Sequence, residues 1–150
     1  MDYETVNAED FGASLRGIGL NLLVRDVPAQ VAFLEQVGGM QGHQVTQDFA
    51  IMTYHGQVMQ LHADQTYAKH PLLGLLPETP PRGAGAQFHL YQTDPDTAAD
   101  TARRLGAHVL QEPADKPHGL RETFILDDNG YAWVASRPLT HGEVDAVNAG

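Results

Sequence analysis

The stretch V-R-D-V-P-A-Q-V-A-F-L-E-Q-V-G-G, residues 24–39, decides the fold once it is set over Q-T-D-P-D-T-A-A-D-T-A-R-R-L-G-A, residues 92–107. Without a gap, Asp26 lies over Asp94, Val37 over Leu105 and Gly38 over Gly106, at a constant offset of 68 residues. In both copies an apolar strand runs into an Asp that can accept hydrogen bonds from the free N–H groups of a following helix. Pro28 and Pro95 stand just behind, in the first turn, where a missing donor costs nothing. Helical periodicity follows. Val27, Val31, Leu34 and Val37 make one stripe with Phe33 beside it, and Ala98, Ala102 and Leu105 make the other. Gly38 and Gly106 are expected to end the two helices.

Each helix is followed by segments that read as three strands: H-Q-V-T-Q, F-A-I-M-T-Y and V-M-Q-L-H-A in the first half, H-V-L-Q-E, E-T-F-I-L and Y-A-W-V-A-S in the second. His55-Gly56 and D-D-N-G at residues 127–130 supply hairpin turns. The chain therefore reads as α+β, two βαβββ modules in tandem: module one about 17–68, a Pro/Gly-rich linker about 69–86, and module two about 87–138. Tails of 1–16 and 139–150 complete a single 150-residue domain. The linker's L-L-G-L-L run is expected to pack on the domain.

Composition limits the function. A chain of 150 residues suits one compact domain with a real core. No cysteine is present, which removes disulfides, thiolate metal sites and cysteine nucleophiles and fits a cytoplasmic protein. Nothing approaches the roughly 20 apolar residues of a membrane span. A formal charge of -10 repels phosphate backbones and anionic membranes, so neither nucleic acid nor membrane is an expected partner. No G-x-S-x-G, phosphate-cradling loop or H-E-x-x-H pattern occurs.

The double βαβββ pattern resembles the vicinal oxygen chelate superfamily of glyoxalase I, extradiol dioxygenases, fosfomycin-resistance enzymes and bleomycin-resistance proteins. The stretches that carry the resemblance are L-N-L-L-V-R-D-V-P-A-Q-V-A-F-L, V-M-Q-L-H, A-D-T-A-R-R-L-G-A-H-V and H-G-L-R-E-T-F-I-L-D-D-N-G-Y-A-W-V. Together they span about four fifths of the chain. The resemblance implies curved mixed sheets around a shared cavity, with helices outside. It also implies a homodimer, since module exchange is frequent in similar proteins and C2 dimers dominate small oligomers.

Strand parity sorts the faces. Ile18, Leu20, Leu22 and Val24 suit packing under a helix, as do Phe88 and Leu90. Gly19, Asn21 and Leu23 face the other way, with Gln87, His89 and Tyr91 in the second half. Val58, Gln60 and His62, and Ala132, Val134 and Ser136, share that face, which places Tyr131 and Trp133 behind the sheet as core. Metal-dependent members carry a His on each opening strand and a Glu on each closing strand. Those positions fall on Gly19, Gln87, Gln60 and Val134, a set without a carboxylate or imidazole. No metal and no cofactor is therefore expected.

The expected ligand-binding residues are Asn21, Gln60, His62, Gln87, His89, Tyr91 and Arg121, for a partly apolar small molecule. Other readings stay open. One is an enzyme: a lyase, isomerase or dioxygenase with a displaced metal at His62 and His89, or a metal-free acid–base catalyst using His89 with Tyr91, Tyr54 or Glu122 as partners. A structural or regulatory module that keeps only the fold is a further alternative. His43, His55, His70, His108, His118 and His141 are expected to face solvent. His118 also stands where bleomycin-resistance-like members commonly carry an aromatic, which argues against bleomycin as the ligand.

Overall fold

The computed structural model describes residues 1–77 and 81–149; positions 78–80 of the expected linker and residue 150 of the expected tail lie outside the described residues. The chain divides into two compact units, Met1–Glu35 with Gly39–Leu76, and Gln36–Gly38 with Pro77–Gly150. In chain order the first half holds α1 (Ala8–Ser14), β1 (Asn21–Val24), α2 (Val27–Gly38), β2 (Gln41–His43), β3 (Phe49–Tyr54) and β4 (Gln57–Ala63). The second half holds β5 (Gly83–Tyr91), α3 (Pro95–Arg104), β6 (His108–Asp115), β7 (Leu120–Leu126), β8 (Tyr131–Pro138) and α4 (His141–Ala149). The strand orders are β1-β4-β3-β2 and β5-β8-β7-β6. In each sheet the opening strand runs parallel to the closing strand and the other pairs are antiparallel. The fold is α+β with two mixed sheets of one repeated topology.

The two Asp caps form as their chemistry requires. The Asp26 carboxylate accepts from the Ala29 N–H at 3.0 Å, and Asp94 accepts from the Thr97 N–H at 3.1 Å. Val27, Val31, Leu34 and Val37 are all buried, and each such aliphatic side chain contributes about 1.5–3 kcal/mol by leaving water. Gly39, not Gly38, leaves α2, with a left-handed φ of 70°. There the N–H groups of Gly39 and Met40 bond to the Glu35 and Leu34 carbonyls. Gly42 sets how closely α2 approaches the sheet, because a Cβ at that position would stand 2.7 Å from Val31 Cγ1. In the second unit small residues do the same work: Ala98, Ala99 and Ala102 are buried on α3.

Several local expectations are corrected. Ile18 is fully exposed, because pairing with β4 begins only at Asn21 and glycines flank it on both sides. H-Q-V-T-Q is not a strand. β2 ends at His43, Gln44 adopts φ 49°, and the Thr46 hydroxyl accepts from the Asp48 and Phe49 N–H groups to make a turn. Leu105 caps α3 and is 40% exposed instead of completing the stripe. L-L-G-L-L forms a short 3-10 turn at Leu73–Leu75 with Leu75 80% exposed, so the run does not pack as a core segment.

The D-D-N-G turn is built around Asp127. Its Oδ1 accepts from the Asn129 and Tyr131 N–H groups at 2.9 and 3.0 Å, and its Oδ2 accepts from Trp133 Nε1 at 2.8 Å. Trp133 is buried, with its ring centroid 5.0 Å from that of Phe88. It is packing mass, as its strand parity requires. Among the described residues no helix is long and apolar enough to cross a membrane.

Candidate functional site

Register fixes one polar face on each sheet. In the first unit Asn21 pairs with Gln60 and Leu23 with His62, while Phe49 pairs with His62, Ile51 with Gln60 and Thr53 with Val58. Directly paired residues point to the same side, so these side chains share one face. Asn21 Oδ1 lies 2.6 Å from His62 Nδ1, and Asn21 Nδ2 donates to the Tyr67 hydroxyl at 3.0 Å. The Phe49 and Tyr67 rings flank the imidazole at 5.0 and 5.9 Å. Burial lowers the His62 pKa below its ordinary value, which favours the neutral ring.

The segment expected to be an N-terminal tail covers part of this face. Asn7 caps α1 by accepting from the Asp10 N–H, and Phe11 buries its ring edge-on to Phe49 at 6.4 Å. Gln44 Nε2 donates to the Tyr3 and Val6 carbonyls, and His43 bridges Glu4 (2.5 Å) and Thr53 (2.8 Å). His43 is therefore buried, a correction to its expected solvent exposure. The cause is a segment distant in sequence, since Glu4 and His43 are 39 positions apart.

In the second unit Gln87 pairs with Ala132, His89 with Val134 and Tyr91 with Ser136, and β7 adds Glu122 beside Ser136 and Phe124 beside Val134. His89 stacks on Tyr91 at 5.4 Å, and its Nε2 lies 3.3 Å from Gln87 Oε1. Two buried polar atoms on this unit, His89 Nδ1 and Ser136 Oγ, have no hydrogen-bond partner among the described residues. Glu122 is buried, with Oε2 3.4 Å from His118 Nε2. Strand parity alone makes Glu122 and Ser136 same-face residues, but burial of a carboxylate cannot be read from spacing.

The structure does not bring Arg121 to this face, a correction to its expected place among the ligand-binding residues. Its Nε and Nη2 donate to Asp96 on α3 at 2.7 and 2.8 Å, and its Nη1 donates to Asp115 on β6 at 2.9 Å. Those bonds hold the Asp96 carboxyl below the usual range. Alternation along β7 then leaves Glu122, the next residue, on the polar face. Asn21, Gln60 and His62 come together on the first sheet, and Gln87, His89 and Tyr91 on the second.

The metal site that the fold class implies does not fit these residues. Gly19 precedes β1 and has no side chain to coordinate with. Gln60 and Gln87 are neutral amides, weak donors for a transition metal. Val134 is fully buried between His89 and Phe124. Among the described residues no group of three or more His, Cys, Asp or Glu side chains is arranged to hold a metal ion.

Comparison with known proteins gives one family. Residues 18–135 match the family described as Glyoxalase/Bleomycin resistance protein/Dioxygenase superfamily. No curated protein matches the chain. Among solved structures, a glyoxalase/bleomycin resistance protein/dioxygenase family enzyme from Burkholderia phytofirmans PsJN is 19% identical with a TM-score of 0.64, covering 80% of this chain and 96% of its own. A glyoxalase/bleomycin resistance protein/dioxygenase from Nocardioides is 22% identical, TM-score 0.59, covering 89% and 91%. A glyoxalase-related enzyme from Fulvimarina pelagi is 14% identical, TM-score 0.64, covering 85% and 94%. At such identities the likeness is one of fold.

Proposed function

Because the chain belongs to the glyoxalase/bleomycin resistance protein/dioxygenase superfamily, we propose that it is a metal-independent small-molecule-binding protein of the sequestration or resistance type. The observation that carries this reading is the donor set. Val134, an alkyl side chain fully shielded from solvent, stands where a carboxylate would complete the metal site, with amides at Gln60 and Gln87. Each face by itself offers groups suited to holding an organic ligand. On the first sheet Phe49 supplies flat apolar surface beside the hydrogen-bonding groups of Asn21, Gln60 and His62, and on the second Tyr91 does so beside Gln87 and His89.

Two measurements test the proposal. Elemental analysis of untagged, undialysed protein is expected to find no stoichiometric divalent metal, and near-equimolar Ni, Zn, Fe or Mn overturns metal independence. A ligand found by thermal-shift screening is then titrated calorimetrically against His89→Ala, with His108→Ala as the exposed control. Losing one buried hydrogen bond to ligand costs about 1–3 kcal/mol, roughly five- to a hundred-and-fifty-fold in affinity. Unchanged affinity in a folded His89→Ala protein overturns the assignment of that face.

A second reading, acid–base catalysis by His89, is favoured by one specific observation. The buried His89 Nδ1 and Ser136 Oγ, both without a partner among the described residues, lie on the same face as the buried Glu122 carboxyl. Turnover of a bound ligand that disappears in His89→Ala, with binding retained, would establish this reading over simple sequestration.

A further inference from the structure

The Tyr67–Asn21–His62 chain on the first sheet fixes more than contact. Asn21 Nδ2 donates to the Tyr67 hydroxyl at 3.0 Å, and its Oδ1 faces His62. That oxygen is only an acceptor, and at 2.6 Å from His62 Nδ1 it requires a proton on Nδ1. A neutral imidazole carries one N–H, so the proton on Nδ1 leaves Nε2 as a bare lone pair. Nε2 makes no hydrogen bond to any other described residue, and the Phe49 and Tyr67 rings lie 5.0 and 5.9 Å from the imidazole. Burial keeps the ring neutral by disfavouring the charged form. The result is an acceptor of fixed direction beside two aromatic rings.

We propose that His62 Nε2 is the specificity-determining acceptor of the first sheet, selecting a flat unsaturated ligand that donates one O–H or N–H, with Asn21 and Tyr67 as positioning residues. This rests on the small-molecule-binding reading and adds the ligand's chemistry. A ligand that offers only acceptors meets a lone pair and is rejected, because two acceptors facing each other leave both unsatisfied. A flat ring is matched by Phe49 and Tyr67, whose centroids lie 5.0 and 5.9 Å from that of the imidazole.

The test separates this inference from the reading beneath it, because its first step needs no ligand. Long-range 15N–1H correlation of histidine-labelled protein near pH 7.5 is expected to show His62 as the Nδ1–H tautomer. An Nε2–H pattern overturns the proposal outright, whatever ligands the protein binds. Asn21→Asp keeps the acceptor and is expected to keep the tautomer while raising the His62 pKa, since a carboxylate favours the imidazolium. Asn21→Ala is expected to release the ring to a mixture, and a folded Asn21→Ala protein with an unchanged tautomer removes Asn21 from the positioning role.

Indole and N-methylindole, which differ only in the donor, then serve as probes at millimolar concentration. Indole is expected to move the His62 Nε2 resonance and N-methylindole to leave it in place. Tyr67→Phe and Asn21→Ala are each expected to weaken indole about fivefold or more. Equal shifts from both probes, or none from either, overturn donor selection at this atom. A tautomer as expected with no indole response would leave the positioning chain standing and defeat its role in ligand choice.

Discussion

At the residue scale, one densely bonded side chain is undersold by turn chemistry alone. Asp127 was readable as the first residue of D-D-N-G, but its carboxylate also receives the Trp133 indole N–H inside the core. Trp133→Phe keeps an aromatic ring but removes that donor and some buried volume, leaving a buried carboxylate oxygen with one bond fewer. The expected loss is about 1–3 kcal/mol of unfolding free energy, read by urea titration; a change within a few tenths would show the bond to be dispensable. His62 carries a pH prediction. Its folded pKa is lowered by burial from the ordinary 6.5, so just below that value the unfolded chain binds the proton first. The contribution to stability is complete above about pH 6.5 and is lost as pH falls through the folded pKa. His62→Gln is expected to flatten that part of the stability profile relative to the parent, and parallel profiles between pH 7.5 and 5.5 would refute the assignment. At this scale the polar set was legible from parity at Asn21, Gln60, His62, Gln87 and His89. His43 was misjudged because its burial depends on what lies over the strand.

At the scale of elements, the capped helices α2 and α3 were legible because Asp caps, Pro in the first turn and the apolar period act within a few residues of one another. The end helices were not read. Yet T-H-G-E at 140–143 is a capping box: the Thr140 N–H donates to Glu143 Oε1 at 2.8 Å and the Glu143 N–H donates to Thr140 Oγ1 at 3.2 Å. Arg137 adds two bonds to the same carboxylate, which holds the Glu143 pKa down at about 2. Arg121 ties α3 to the second sheet through Asp96 and Asp115. Lysine cannot reproduce that fork. Arg121→Lys is expected to lower stability by about 1 kcal/mol while leaving the affinity of any screened ligand unchanged. A ligand-affinity loss without a stability loss would return Arg121 to the binding residues.

At the scale of the whole molecule, the chain is expected to be a homodimer, because closed C2 pairs dominate small oligomers and the fold class commonly uses them. Light scattering at tens of micromolar, well above the roughly micromolar or tighter Kd of a standard interface, is the check, and a monomer there contradicts it. The sequence by itself determined the repeated strand–helix–three-strand topology, since an offset of 68 between two Asp-capped apolar helices arises from local rules that apply wherever the segment lies. It also determined the chemistry of the four positions where the metal ligands would stand, because Gly19 and Val134 carry no donor in any conformation. Tertiary structure alone decided that Arg121 serves α3, that residues 3–11 lie on the first sheet through Phe11, Glu4 and Tyr3, and that Asn21 Oδ1 meets His62 Nδ1. Each depends on atoms many residues apart, such as the 46 positions between Asn21 and Tyr67. Side-chain direction and burial are set by whatever packs against a residue, and periodicity along a chain carries no record of that.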